Sequence, residues 1–153
     1  MIDRLPNVAE VDIGPEVTAI GNSAFAGCLS LEKVKMTDSI ISVGACAFSD
    51  CVSLSEVEVG PNVVEIGEAA FSGCSNLANV RLPDELKVLE KAVFKDCIRL
   101  LRIDIPKTVT IIGEDSFCDC HSLSNVEIPE SATEVRDYAF CNCDSLERVS
   151  FGP

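Results

Sequence analysis

The chain has 153 residues, of which 47% are hydrophobic and 24% charged, and its formal net charge is −13. This is ample apolar material for one core, yet no apolar run approaches the roughly 18 residues that a membrane-spanning helix needs. The acidic balance excludes nucleic acid as a partner, because binding phosphates requires a basic footprint.

The chain opens on Met1-Ile2-Asp3-Arg4-Leu5-Pro6, with an acid and a proline where a signal peptide would need an apolar stretch. It then becomes periodic. Phe25, Phe48, Phe71, Phe94, Phe117 and Phe140 recur at a constant interval of 23 residues. A fixed period of roughly 20–29 residues marks stacked supersecondary units, none of which buries its apolar face alone, so the fold expected is a solenoid.

Within each unit the slots follow in order. Three residues after the phenylalanine stands cysteine (Cys28, Cys51, Cys74, Cys97, Cys120, Cys143), and six after it leucine (Leu31, Leu54, Leu77, Leu100, Leu123, Leu146). Nine after it come Val34, Val57, Val80, Ile103, Val126 and Val149, and eleven after it Met36, Val59, Leu82, Ile105, Ile128 and Phe151. The last two slots are spaced by two, the period of a strand with one buried face. Gly14-Pro15, Gly60-Pro61, Pro83, Pro106 and Pro129 then end the strand, since proline lacks a backbone donor.

A second apolar pair follows (Val17/Ile20, Ile40/Val43, Val63/Ile66, Leu86/Leu89, Val109/Ile112, Ala132/Val135), then a corner glycine at Gly21, Gly44, Gly67 and Gly113. The Phe-x-x-Cys spacing of three suits one helical turn with both side chains inward. Glu68, Glu114, Asp115 and Asp137 at its front would favour the positive end of that turn. The expected class is therefore α/β: a right-handed solenoid of 23-residue units, with a parallel strand sheet on one face and short extended segments and helical turns on the other.

The ends read as interruptions. Ile2 in the phenylalanine slot puts Leu5, Val8, Val11 and Ile13 in later slots, and Ser150-Phe151-Gly152-Pro153 completes a strand and enters the next turn. Solenoids close their stacks with polar caps, and neither end carries one. The expectation is a single domain over residues 1–153, about six and a half repeats cut from a longer array.

Outward positions of the strands are Glu10/Asp12, Lys33/Lys35, Glu56/Glu58, Asn79/Arg81, Arg102/Asp104, Asn125/Glu127 and Arg148/Ser150. They hold six acids and five bases, so the excess negative charge lies on the turns and the opposite side. With rungs about 4.8 Å apart, opposite charges down the stack can pair within the protein. The alternative is a polar strip that recognises a partner by charge order. The candidate contact residues are Lys33, Lys35, Glu56, Glu58, Arg81, Arg102, Asp104, Glu127 and Arg148. There is no Trp, and Tyr138 is the only Tyr, so the large anchors typical of tight binding sites are scarce and affinity would come from many repeats together.

Six of the nine cysteines fill a repeat slot and read as small buried groups with a weak S–H donor for the turn backbone. Helix-like separations of about 8–10 Å between turns would hold their sulfurs too far apart for disulfides. Cys118 and Cys141 share one slot in neighbouring units, which leaves a bridge between them open. Two Cys-x-Cys pairs (Cys118, Cys120 and Cys141, Cys143) do not have the usual zinc spacing, and His121 has no visible third partner for nucleophilic chemistry. No cofactor, metal or catalytic residue is assigned.

The unit Ile66-Gly67, Ala70-Phe71, Cys74, Leu77, Val80, Leu82-Pro83, repeated around Phe25, Phe48 and Phe117, resembles the BspA-like leucine-rich repeat, also called the Treponema pallidum type. The match spans nearly the whole chain. The resemblance implies a leucine-rich-repeat solenoid whose strand sheet faces the ligand. It implies a non-enzymatic, adhesion-type module of a secreted or surface protein, with a host matrix or cell-surface protein as partner. Against that location, free thiols point to a reducing compartment. The competing role is a structural spacer or a repeat element that associates end to end, without a specific ligand. Glu90 and Arg136 replace the corner glycine, Thr37-Asp38 replaces Gly-Pro, and Val93 and Ser116 replace the alanine before phenylalanine.

Overall fold

A computed structural model describes residues 7–152. Ile2 and Leu5, which the repeat places in the first unit, and the closing Pro153 lie outside the described residues. In chain order the strands are β1 (Glu10–Asp12), β2 (Ala19–Ile20), β3 (Lys33–Lys35), β4 (Ser42–Val43), β5 (Glu56–Glu58), β6 (Glu65–Ile66), β7 (Asn79–Arg81), β8 (Val88–Leu89), β9 (Ile111–Ile112), β10 (Asn125–Ile128), β11 (Glu134–Val135) and β12 (Arg148–Phe151). Every pairing is parallel and joins a residue to the one 23 positions on, as with Val34 to Val57 and Val43 to Ile66. The solenoid expected from the repeat is formed.

The helical turns are not. Among the described residues there is no helix. The segment from the corner to the leucine is a run of i to i+3 turns instead, with Ala24 N–H donating to Gly21, Ala26 to Ser23, Cys28 to Phe25 and Leu31 to Cys28. Two residues per unit sit in the left-handed region. One lies two before the phenylalanine (Ser23, Cys46, Ala69, Ala92, Asp115, Tyr138) and one lies two after it (Gly27, Asp50, Gly73, Asp96, Asp119, Asn142). A positive φ at the third position of a turn reverses the chain, whereas a helix needs uninterrupted negative φ. The alternation therefore excludes the helical reading although the spacing of three fits both.

These turns also stack closely. Phe25 N–H donates to Ala47, Phe48 to Ala70, Phe71 to Val93, Phe94 to Ser116 and Phe117 to Ala139, at 2.7 to 3.0 Å. The left-handed residues flanking each phenylalanine repeat the pattern, as with Cys46 to Glu68 and Asp50 to Ser72. The phenylalanine rings consequently stack along the axis, with centroids 5.3 to 5.7 Å apart and interplanar angles of 1 to 18°. Offset stacking at such distances adds about 0.5–1.5 kcal/mol per pair beyond area burial. Phe48, Phe71, Phe94 and Phe117 are wholly buried, as are Leu54, Leu77, Leu100 and Leu123 of their units. The helix-like separation of about 8–10 Å expected between turns is thus replaced by direct backbone contact.

The other two ladders lapse once each. The strand sheet runs β1-β3-β5-β7, breaks, and resumes as β10-β12, with only an isolated bridge from Arg102 to Asn125 between them. On the second face, β2-β4-β6 and β8-β9-β11 are separate sheets. That gap lies next to Glu90, which occupies a glycine corner. At the equivalent corner a Cβ on Gly44 would stand 2.6 Å from the backbone nitrogen of Asn22 in the unit before. Arg136 fills the same slot and still donates its N–H to Ile112 at 2.9 Å, so a side chain there does not by itself break the ladder.

Candidate binding face

The strand face is built by alternation. In β3 and β5 the central valine points into the core and its two neighbours point out, an exposed-buried-exposed pattern. All of Lys33, Lys35, Glu56, Glu58, Arg81, Arg102, Asp104, Glu127 and Arg148 are exposed. Parallel register then sorts them into two columns running along the stack.

The two halves of the face differ. In the first, Glu10, Lys33, Glu56 and Asn79 form one column, and Asp12, Lys35, Glu58 and Arg81 the other. Charges alternate along each. Lys33 Nζ lies 3.6 Å from Glu56 Oε2, and Lys35 Nζ lies 4.0 Å from Glu58 Oε2. These are exposed pairs of small net value, but they satisfy one another.

In the second half the sign is segregated instead. One column holds Arg102, Asn125 and Arg148, and the other holds Asp104, Glu127 and Ser150. Among the described residues none of Arg102, Asp104, Glu127 or Arg148 forms an ion pair. The self-paired ladder expected over the whole face is therefore confined to its first half. The same four side chains line a shallow groove of about 1390 Å³, floored by Ile103, Ile105 and Val126. The groove begins at the rung joined to β10 by the isolated Arg102–Asn125 bridge and extends over β10 and β12. It brings four of the nine candidate residues together and leaves the two lysines, the paired glutamates and Arg81 outside.

The turn face holds features that the repeat alignment did not single out. The slot two after phenylalanine stacks Asp96 and Asp119, with Asn142 Nδ2 donating to Asp119 Oδ1 at 2.9 Å. That amide is the main reason Asp119 ionises more readily than usual, while burial, and then the neighbouring Asp119 charge, push Asp96 upward. The signal was present in the letters: this slot contains only Gly, Asp and Asn, the residues that tolerate left-handed backbone.

All nine thiols are free, so the Cys118–Cys141 bridge is not formed. In the repeat slot each thiol from Cys51 onward donates to the phenylalanine carbonyl of the preceding unit: Cys51 to Phe25, Cys74 to Phe48 and Cys97 to Phe71, at 3.1 to 3.2 Å. Burial pushes Cys51 and Cys143 up to about 11 and holds Cys74, Cys97 and Cys120 higher still. Cys118 rises to about 12 through burial, then through the charge of Asp119. His121 Nδ1 meets Asp144 Oδ2 at 2.8 Å on the exposed surface. Among the described residues no group of three or more His, Cys, Asp and Glu side chains is placed to hold a metal ion, and no helix is long and apolar enough to cross a membrane.

Comparison with known proteins agrees with this architecture. A family model for the BspA type leucine-rich repeat region matches residues 4–120 and 87–153, in 6 copies. Among solved structures, a leucine-rich-repeat protein of T. pallidum is 32% identical, with a TM-score of 0.84 over 89% of this chain and 67% of its own. A leucine-rich cell surface protein of Faecalibacterium prausnitzii is 26% identical, with a TM-score of 0.78 over 95% of this chain and 48% of its own. A leucine-rich-repeat protein of Bacteroides ovatus is 26% identical, with a TM-score of 0.70 over 94% of this chain and 46% of its own. The chain thus spans about half the length of the latter two. Among curated proteins none matches. With its repeat, its parallel ladders and its phenylalanine stack, the chain belongs to the BspA-type leucine-rich-repeat family.

Proposed function

We propose that this chain is a non-enzymatic, protein-binding module of adhesion type that meets its partner through the strand face. The observation that carries the reading is the second half of that face. Four exposed charged side chains there take no part in the core and none in an ion pair with another described residue, and they surround a groove. Charges left open in this way give specificity and association rate more than raw affinity. The partner class is a matrix or cell-surface protein. This fits a chain similar to a protein described as a leucine-rich cell surface protein.

A spacer role draws on a different observation, the mutual pairing of Lys33 with Glu56 and Lys35 with Glu58, which satisfies those four charges within the protein. Binding of the immobilised chain to a panel of matrix and cell-surface proteins separates the two. A companion variant carries Arg102→Ser, Asp104→Ser, Glu127→Ser and Arg148→Ser. The module reading expects binding by the parent chain and its loss in the variant. Absence of binding by the folded parent chain would transfer the case to the spacer.

A further inference from the structure

The strand face carries two charge patterns with different consequences for a partner. In the first half, unlike charges face each other from rung to rung, so a partner would have to break internal pairs to use them. In the second half, like charges share a column. Arg102 and Arg148 flank Asn125, Asp104 stands beside Glu127, and none of the four charges has a described counter-ion. The Arg102–Asp104 rung therefore offers a base and an acid two residues apart, about 6.6 Å along the chain direction, and the next two rungs extend the columns with the acid Glu127 and the base Arg148.

An extended polypeptide has the same spacing on one of its faces, because its side chains at i and i+2 point the same way. A segment laid across the groove with an acid and a base in the order acid-x-base sets its acid over the arginine column and its base over the Asp104–Glu127 column. A segment with two like charges places one of them against its own sign. We infer, resting on the reading of this face as a protein-binding surface, that the groove between Arg102 and Arg148 is the contact site and that its partner is an extended segment of acid-x-base pattern. The first half of the face is a scaffold whose lysines and glutamates are engaged with one another.

Repulsion of the wrong partner does as much here as attraction of the right one. Arg102 and Asp104 are held by a rung that joins β10 through the isolated Arg102–Asn125 bridge and does not pair with β7, and Glu127 lies in β10, which pairs in register with β12. Lys107 and Glu130, one of each sign, also line the groove and leave its balance unchanged.

The test measures fluorescence polarisation of short labelled peptides of acid-x-base, acid-x-acid and base-x-base pattern against the full chain at low ionic strength, where screening is weak. The parent chain should bind acid-x-base about tenfold more tightly than either other peptide, as one favourable charge-assisted contact predicts. The double variant Asp104→Lys, Glu127→Lys should bind acid-x-acid best, a gain that a misfolded chain would not show. A variant with Lys33→Ser and Glu56→Ser should keep the parent's preference. Equal affinity for all three peptides, an unchanged preference in the double variant, or equal loss in the Lys33/Glu56 variant would overturn the assignment. If no peptide binds while the matrix and cell-surface panel still does, this inference fails and the module reading stands; failure of both removes both.

Discussion

Ser116 occupies the slot that holds Ala24, Ala47 and Ala70 in other units. It is wholly buried, and its hydroxyl has no hydrogen-bond partner among the described residues. Burying an unsatisfied hydroxyl costs free energy that an alanine would not. Ser116→Ala is therefore expected to stabilise the fold by about 1 kcal/mol, seen as a higher urea midpoint at unchanged slope. A lower midpoint would mean that the hydroxyl finds a partner in solution. At this scale the letters were legible in one slot and silent in its twin. Gly27, Asp50, Gly73, Asp96, Asp119 and Asn142 announce their positive φ by residue type, since these side chains tolerate it. Ser23, Cys46, Ala69, Ala92, Asp115 and Tyr138 share the conformation without a common chemistry. There the backbone is held by bonds to the next unit, which a single unit's sequence does not display.

At the scale of the element, the phenylalanine stack and the turn ladder act together. Phe71 lies wholly buried between Phe48 and Phe94. Phe71→Ala should cost about 3–5 kcal/mol in denaturant unfolding, through lost transfer energy and the cavity left behind. Phe25→Ala, at a half-buried ring with one described stacking neighbour, should cost less. Equal losses would mean that stacking between neighbours contributes little. The strands were legible because a period of two has one physical meaning on a half-buried sheet. The turn was misread because Phe-x-x-Cys satisfies an i to i+3 turn as well as a helix, and only the sign of φ distinguishes them. Of the face, the sequence order exposed both charge columns, but it held no sign that the ladder lapses between Arg81 and Arg102. That lapse depends on how neighbouring units seat against one another.

For the whole molecule, buried thiols set a limit on the alkaline side. Unfolded cysteines titrate near 8.5, whereas burial holds Cys51 and Cys143 at about 11 and Cys74, Cys97 and Cys120 above that. Between those values the native state keeps protons that the unfolded state has released, so the stability these thiols confer is complete below the unfolded value and declines as pH rises. Urea midpoints should fall from about pH 8 to about pH 11, and the fall should be shallower in a Cys51→Ala, Cys143→Ala variant. An identical slope in both would assign the effect to other groups.

The lapses of the strand and second-face ladders fall on opposite sides of one unit. Asn79–Arg81 is tied to the unit before it through the strand sheet, and Val88–Leu89 to the unit after it through the second face. Across both boundaries the turn ladder, the thiol-to-carbonyl bonds and the ring stack continue unbroken. The rod accordingly carries its continuous tether along one edge. At each of those boundaries one further ladder is missing, on the strand face after Asn79–Arg81 and on the second face before Val88–Leu89. The groove is lined only by residues beyond both boundaries, so bending there would carry a bound partner's seat as one piece.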